Sequence, residues 1–513
     1  MRSAPRRRCS VLATVTAVLA LVAACGGEQG AAGGAPVPDG ELRIAAQFSP
    51  RAGYAVDTDD AFILTQLGAT EALTSASADG QARPALAESW TQVDPLTWRF
   101  VLRPGVSFQD GTPLTPAAVV TALGYVAGVA APPRALRGLG LTVAEDGANA
   151  VRMTTAHPDP ILPLRMSSPN AVILASSAYT GGAPSVIGTG TGPMRLTAVE
   201  GAQRALLERF DGYWGGRAAL ARVTATFVGD PAARALALRA GDVEIAQGLP
   251  ESSLLEFSAG SGFDEQTVAA PRTVSLLMNQ SAVPFSDLRI RQAVARAVDR
   301  TALAQQALAG SAVPASELFG PAVAWGAQNP PPAPDVEGAK ALLAQAGHGP
   351  DNPLQVRLWT YQNRPELPTL ATAVQDMLRA VGIDAEIQIG EYGAQEPELL
   401  AGRYDMYLLS RSYLTDVPDA GATLQSDYTC EGSYNLNHYC SPAFDSLVGT
   451  LGTTIDAGTR QDVFRAAART LVDDVVGVPL VHSQENGVSR SVAGYSIDPM
   501  AKQLVTPQLA VTG

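Results

Sequence analysis

Residues 354–389 read LQVRLWTYQNRPELPTLATAVQDMLRAVGIDAEIQI, and this stretch decides the fold class. Leu354, Val356 and Leu358 alternate with polar residues, the pattern of a strand with one buried face. Val374, Met377, Leu378 and Val381 then recur at helical spacing, and Gly382 supplies the residue that ends a helix in the left-handed region. Ile383, Ala385, Ile387 and Ile389 alternate again. Strand, helix and strand in that order predict a parallel pair joined by a right-handed crossover, because a tight turn cannot reach a parallel partner. The second half of the chain is therefore expected to be α/β.

The neighbouring segments carry matching signals. Asp335 is placed to cap a helix carrying Leu342, Leu343 and Ala346 that stops at Gly347. After Ser286-Asp287, Ile290, Val294, Ala297 and Val298 fall on one helical face, which assigns Arg289, Arg291 and Arg296 to the solvated one. Far upstream, Leu42, Ile44, Ala46 and Phe48 alternate as a half-buried strand. Trp98, Phe100 and Leu102 do the same, Pro104-Gly105 turns the chain, and Val106 and Phe108 resume, which predicts a hairpin. Thr115-Pro116 then opens a helix to about Ala127. Roughly 470 residues of this kind exceed what one hydrophobic core usually serves, so two lobes are expected.

The N-terminus is of another character. Arg2, Arg6, Arg7 and Arg8 precede an uncharged, largely apolar run from Val11 to Ala24, too short to span a bilayer. It ends in Leu21-Val22-Ala23-Ala24-Cys25, the lipobox pattern of a bacterial lipoprotein signal, which makes Cys25 the expected lipidation site. Residues 26–40 are rich in Gly, Ala and Pro and read as a flexible tether. The chain has 36 basic and 49 acidic residues, and removing a leader with four arginines leaves a net charge of −17. Such a balance argues against nucleic acid and against a surface that hugs anionic lipid. Cys430 and Cys440, with nine residues between them, are most simply a disulfide in an exported protein; a two-cysteine metal site is the alternative.

A series of landmarks resembles one family: PALAESW at 84–90, LTWRF at 96–100, LRPGVSFQDGTP at 102–113, GTGP at 190–193, DGYW at 211–214, Met278-Asn279, FSDLRIRQAVARAVDR at 285–300 and Tyr404-Asp405-Met406. In this order they resemble the family 5 extracellular solute-binding proteins of bacterial ABC importers. The resemblance implies an α/β, two-lobed periplasmic-binding-protein-like fold of the large, cluster C type. Its first lobe would hold 41–272, with a subdomain inserted near 80–185 and 476–513 returning to it; 273–475 would form the second. It implies capture of a small solute, with short peptides the first expectation and nickel or a nickel chelate the alternative, for a permease with cytoplasmic ATPases. A monomer without a bound cofactor is expected.

The resemblance also implies an aspartate that meets a peptide's ammonium after the Tyr-Asp-Met strand, and either Asp416 or Asp419 fits it. A buried ammonium needs such a carboxylate. Arg411 beside them, and Trp359, Tyr361 and Arg364 after the strand at 354–358, are further ligand candidates, the arginines for a carboxylate. His438 is a candidate metal contact in the nickel alternative only. Four dispersed histidines and the absence of the usual nucleophile, zinc-protease and phosphate-loop motifs predict a binding protein rather than an enzyme.

Overall fold

The structure, a computed structural model, describes residues 34–77, 80–257, 261–362, 364, 366–414, 416–500 and 502–513. The leader with its lipobox cysteine, Cys25, lies outside the described residues.

Leu354–Tyr361 and Ile383–Gly390 pair in parallel from Leu354 opposite Ile383 to Tyr361 opposite Gly390. Between them the helix Glu366–Arg379 buries Leu367, Leu370, Val374 and Leu378, and Gly382 follows with φ +96°. This unit forms one edge of an eleven-stranded sheet. Met406–Ser412 comes next, then the long antiparallel strands Asp264–Met278 and Gly477–Ser489, then Ile245–Gln247, Gly40–Ala46, Leu220–Phe227, Arg204–Arg209 and Met194–Glu200. Ala312–Pro314 adds to Gly477–Ser489 from the side.

The two long strands run from Asp264 opposite Ser489 to Leu277 opposite Gly477, and a separate core lies toward each end. One gathers Leu42, Ile44, Phe100, Phe108, Val151 and Leu207, and residues Tyr495, Leu504 and Leu509 of the C-terminal segment return to it. The other gathers Val274, Leu276, Ile290, Val356, Leu378 and Leu480. The molecule is thus a two-lobed α/β protein. A four-stranded sheet of Ala87–Asp94, Thr97–Leu102, Ala150–Thr154 and Thr142–Glu145 packs within the first body.

Helix starts follow the expected chemistry. Thr115 accepts from the Ala118 N–H at the head of Pro116–Gly128, and Asp335 from Gly338 at the head of Val336–Gln345. Two local expectations fail. Val106 and Phe108 do not form a hairpin arm, because both edges of Thr97–Leu102 are taken by Ala87–Asp94 and Ala150–Thr154. They are buried in an irregular segment pinned by Gln109, whose amide donates to the Gly192 and Met194 carbonyls at 3.0 Å each. Arg291 is not on a solvated face either: it is buried and donates to the carbonyls of Phe285 at 2.8 Å and Val475 at 3.1 Å. Cys430 and Cys440 form a disulfide. Among the described residues no helix is long and apolar enough to cross a membrane.

Candidate functional site

The chain leaves Met406–Ser412 into a loop that reaches across to the other lobe before the helix Ala420–Tyr428. Apolar residues carry it over. Leu414 is buried against the second lobe, and Val417 is buried in the first-lobe core. Asp416 accepts from Nε of first-lobe Arg134 at 2.7 Å, and the same guanidinium holds Asp59 at 3.1 Å. The hydrogen bond to Asp416 is the main reason the Arg134 pKa is raised. The two lobes are therefore in contact through an apolar plug and an ion pair.

Behind this loop lies a cavity of about 520 Å³. Its wall combines Thr74, Ser168 and Tyr213 of the first lobe, Asp498, Lys502 and Val505 of the C-terminal segment, and Pro271, Val323 and Leu414. Glu71 stands in the wall with its carboxylate accepting from the Tyr213 hydroxyl and the Trp214 indole N–H, both at 2.9 Å. Burial raises the Glu71 pKa against these bonds and the charge of Arg103, whose guanidinium lies 4.3 Å from the Trp214 ring centre. Lys502 also lines the cavity. Burial pushes its amine down to about 8, with Asp498 and Asp416 pulling the other way.

None of the six residues expected at the site is in the wall of this cavity. Asp419 caps Ala420–Tyr428 by accepting from Gly421 N at 2.9 Å, and both its oxygens meet Arg460 at 2.8 Å, the two side chains each 6% exposed. Arg411 grips Asp427 at 2.8 and 3.0 Å and lies over the Tyr434 ring. Burial raises the Asp427 pKa, opposed by Arg411. Tyr361 is buried, shares hydrogen bonds with the Ser410 backbone and stacks on Tyr407. Trp359 packs against the second-lobe core, with the Arg357 guanidinium 5.8 Å from its ring centre. Arg364 stands 4.0 Å from Glu366.

Arg272, absent from the expectations, stands beside Arg364 and donates to the Ser410 carbonyl at 3.3 Å. Burial, and then the Arg364 charge, push its pKa down to about 10. Its signal was an arginine inside the apolar run of a hinge strand. The loop closed by Cys430–Cys440 holds His438 with φ +52° and its Nε2 3.1 Å from the Leu399 carbonyl. Among the described residues no group of three or more His, Cys, Asp or Glu side chains forms a metal-binding set.

A cavity between two α/β lobes, bordered by a loop that runs from one into the core of the other, suits the capture of a solute. Residues 81–435 match the model of the bacterial extracellular solute-binding proteins, family 5. The chain belongs to this family. It is 26% identical over 473 residues to the nickel-binding periplasmic protein of Escherichia coli, covering 86% of this chain and 88% of that one. It is 26% identical over 455 residues to di/tripeptide-binding protein 2 of Pseudomonas aeruginosa, covering 82% and 84%. The crystal structure of NikA from Brucella suis in complex with Fe(III)-EDTA superposes with a TM-score of 0.82 at 23% identity, over 92% of this chain and all of that one. Family 5 proteins are substrate-binding components of ABC importers, not enzymes, and its members act outside the cytoplasm.

Proposed function

We propose that this chain is the lipid-tethered capture subunit of an ABC importer, anchored through Cys25, which encloses a small carboxylate-bearing metal chelate, nickel first, and presents it to a permease. The observation that carries the reading is the cavity of about 520 Å³ between the lobes, within the range of small-molecule sites and walled by both bodies and the C-terminal segment. The ligand class follows from charge. A peptide's ammonium needs an uncommitted carboxylate, yet Asp416, Asp419 and Asp427 each already hold an arginine. Arg272 and Arg364 stand together, with Glu485 and Glu366 also in reach, as guanidinium donors to a chelate's carboxylates. Nickel-binding relatives fit this choice, as di/tripeptide-binding relatives at the same 26% identity fit the second reading.

A short peptide is the second reading. It is favoured by Asp416, whose side chain is 29% exposed and whose partner Arg134 is half exposed, so that an ammonium can displace the guanidinium. Thermal unfolding of the full chain in detergent separates the two. Probes are Ni²⁺ alone, Ni²⁺ with L-histidine, Ni²⁺ with citrate, and di- and tripeptides. A probe at a hundred times its dissociation constant stabilises by about 2.7 kcal/mol. Stabilisation by the chelates and not by peptides is expected; the reverse pattern overturns the chelate reading, and no stabilisation by any probe overturns both. The tether is checked by Cys25→Ala, which should release the protein from membranes.

A further inference from the structure

Three charged side chains stand in the cavity wall, and two of them are satisfied. Glu71 is held by Tyr213 and Trp214. Asp498 accepts from the backbone N–H groups of Met500 at 2.9 Å, Lys502 at 2.8 Å and Gln503 at 3.0 Å. The third, Lys502, is 7% exposed, and its Nζ has no hydrogen-bond partner among the described residues. The other carboxylate whose charge reaches it, Asp416, is engaged by Arg134. An ammonium withdrawn from water without a partner is costly, and folds keep such a group where something else completes it.

Composition sharpens the point. The chain uses 34 arginines and only two lysines. Lys340 is on the surface, paired with Glu337 at 2.9 Å. Lys502 is thus the one compact ammonium placed inside, where a guanidinium would be wider and fixed in geometry. With a pKa near 8 it still carries its charge over most molecules at neutral pH.

We infer that Lys502 is an anion subsite of the interlobe cavity, where its ammonium receives a carboxylate of the captured solute. This rests on the cavity being the solute site. The carboxylate belongs to a metal chelator or to a peptide's C-terminus, and the test has an arm for each. In the full chain and its Lys502→Met variant, affinities are measured for Ni²⁺–L-histidine against Ni²⁺–histidinamide, and for Ala-Ala against its amide. Removing an unpartnered charge should leave the ligand-free unfolding temperature unchanged or higher, which confirms that the variant folds. The expected result is that one acid binds the natural chain, loses at least tenfold in affinity in Lys502→Met, and that the amide is insensitive to the substitution. An acid that binds both proteins equally, or an amide that binds the natural chain as well as its acid, overturns the subsite and leaves capture in the cavity standing. Failure of every acid to bind the natural chain overturns the carboxylate class and the subsite with it.

Discussion

Replacing Asp419 by alanine removes half of a buried ion pair and tests whether this residue holds the fold or the solute. Asp419 and Arg460 are each 6% exposed, and two hydrogen bonds of 2.8 Å join them. In Asp419→Ala the Arg460 guanidinium keeps its bonds to the Leu451 carbonyl at 2.7 Å and the Thr454 carbonyl at 2.8 Å, but loses its only counterion within bonding distance among the described residues. Stranding a buried charge in this way costs about 3–5 kcal/mol. Loss of the cap on Gly421 N adds about 1 kcal/mol. Against a typical total of about 5–15 kcal/mol this is a large fraction of the stability. The assay is urea unfolding followed by tryptophan fluorescence, with the double variant Asp419→Ala/Arg460→Met as the control. The double variant should recover most of the loss, since no charge is then stranded. A single variant that loses less than about 1 kcal/mol and yet no longer binds solute would refute the structural assignment and return Asp419 to the ligand.

Arg134→Met breaks the pair between the lobes, whose members are 49% and 29% exposed, and should weaken solute binding by no more than about fivefold, or about 1 kcal/mol, by calorimetry. Tighter peptide binding instead would mean that Arg134 competes with an ammonium for Asp416. His482, 3% exposed, is pushed by burial down to about 4, so the folded state resists a proton that the unfolded chain accepts below about 6.5. Stability should be full above that pH and fall by about 3 kcal/mol as pH drops toward 4, a slope that His482→Gln flattens in urea titrations at several pH values. Reducing the Cys430–Cys440 bridge, which spans ten positions, should cost about 2–3 kcal/mol, read as a lower urea midpoint in dithiothreitol.

What was legible in the sequence was local. The strand–helix–strand unit at 354–389 announces itself because each of its signals lies within a few residues of the next. The caps at Thr115 and Asp335 are read the same way. The misreadings have remote causes. Trp98 to Leu102 has no free edge for Val106 and Phe108, because one edge is taken by Ala87–Asp94 just before it and the other by Ala150–Thr154, some fifty residues later. Arg291 matched the solvated stripe of its helix, but the Val475 carbonyl packs onto it from far along the chain. In sequence Asp416 fits the family aspartate best and Asp419 second, with nothing local to decide between them. The difference between them is Arg460, 41 positions away, for one and Arg134, 282 positions away, for the other. Lys502 carries no local pattern at all, since its burial is made by the return of the C-terminal segment against residues near 65–76.

The pivot strands have a consequence for how solutes are sized. The register between Asp264–Met278 and Gly477–Ser489 breaks between Ala269 and Thr273. Pro271 sits in that gap, without an N–H to give to a neighbour. The same proline lines the cavity, and its carbonyl accepts from Tyr413 N at 3.0 Å, at the root of the closing loop. On the proposed function, this break in the strand pairing is therefore also a surface that the solute would touch. A bulkier guest would press on the joint itself, so cargo volume and the angle between the jaws become one variable. On that reading the fold would act as a caliper, and a partner that reads its angle would read the dimensions of what is held.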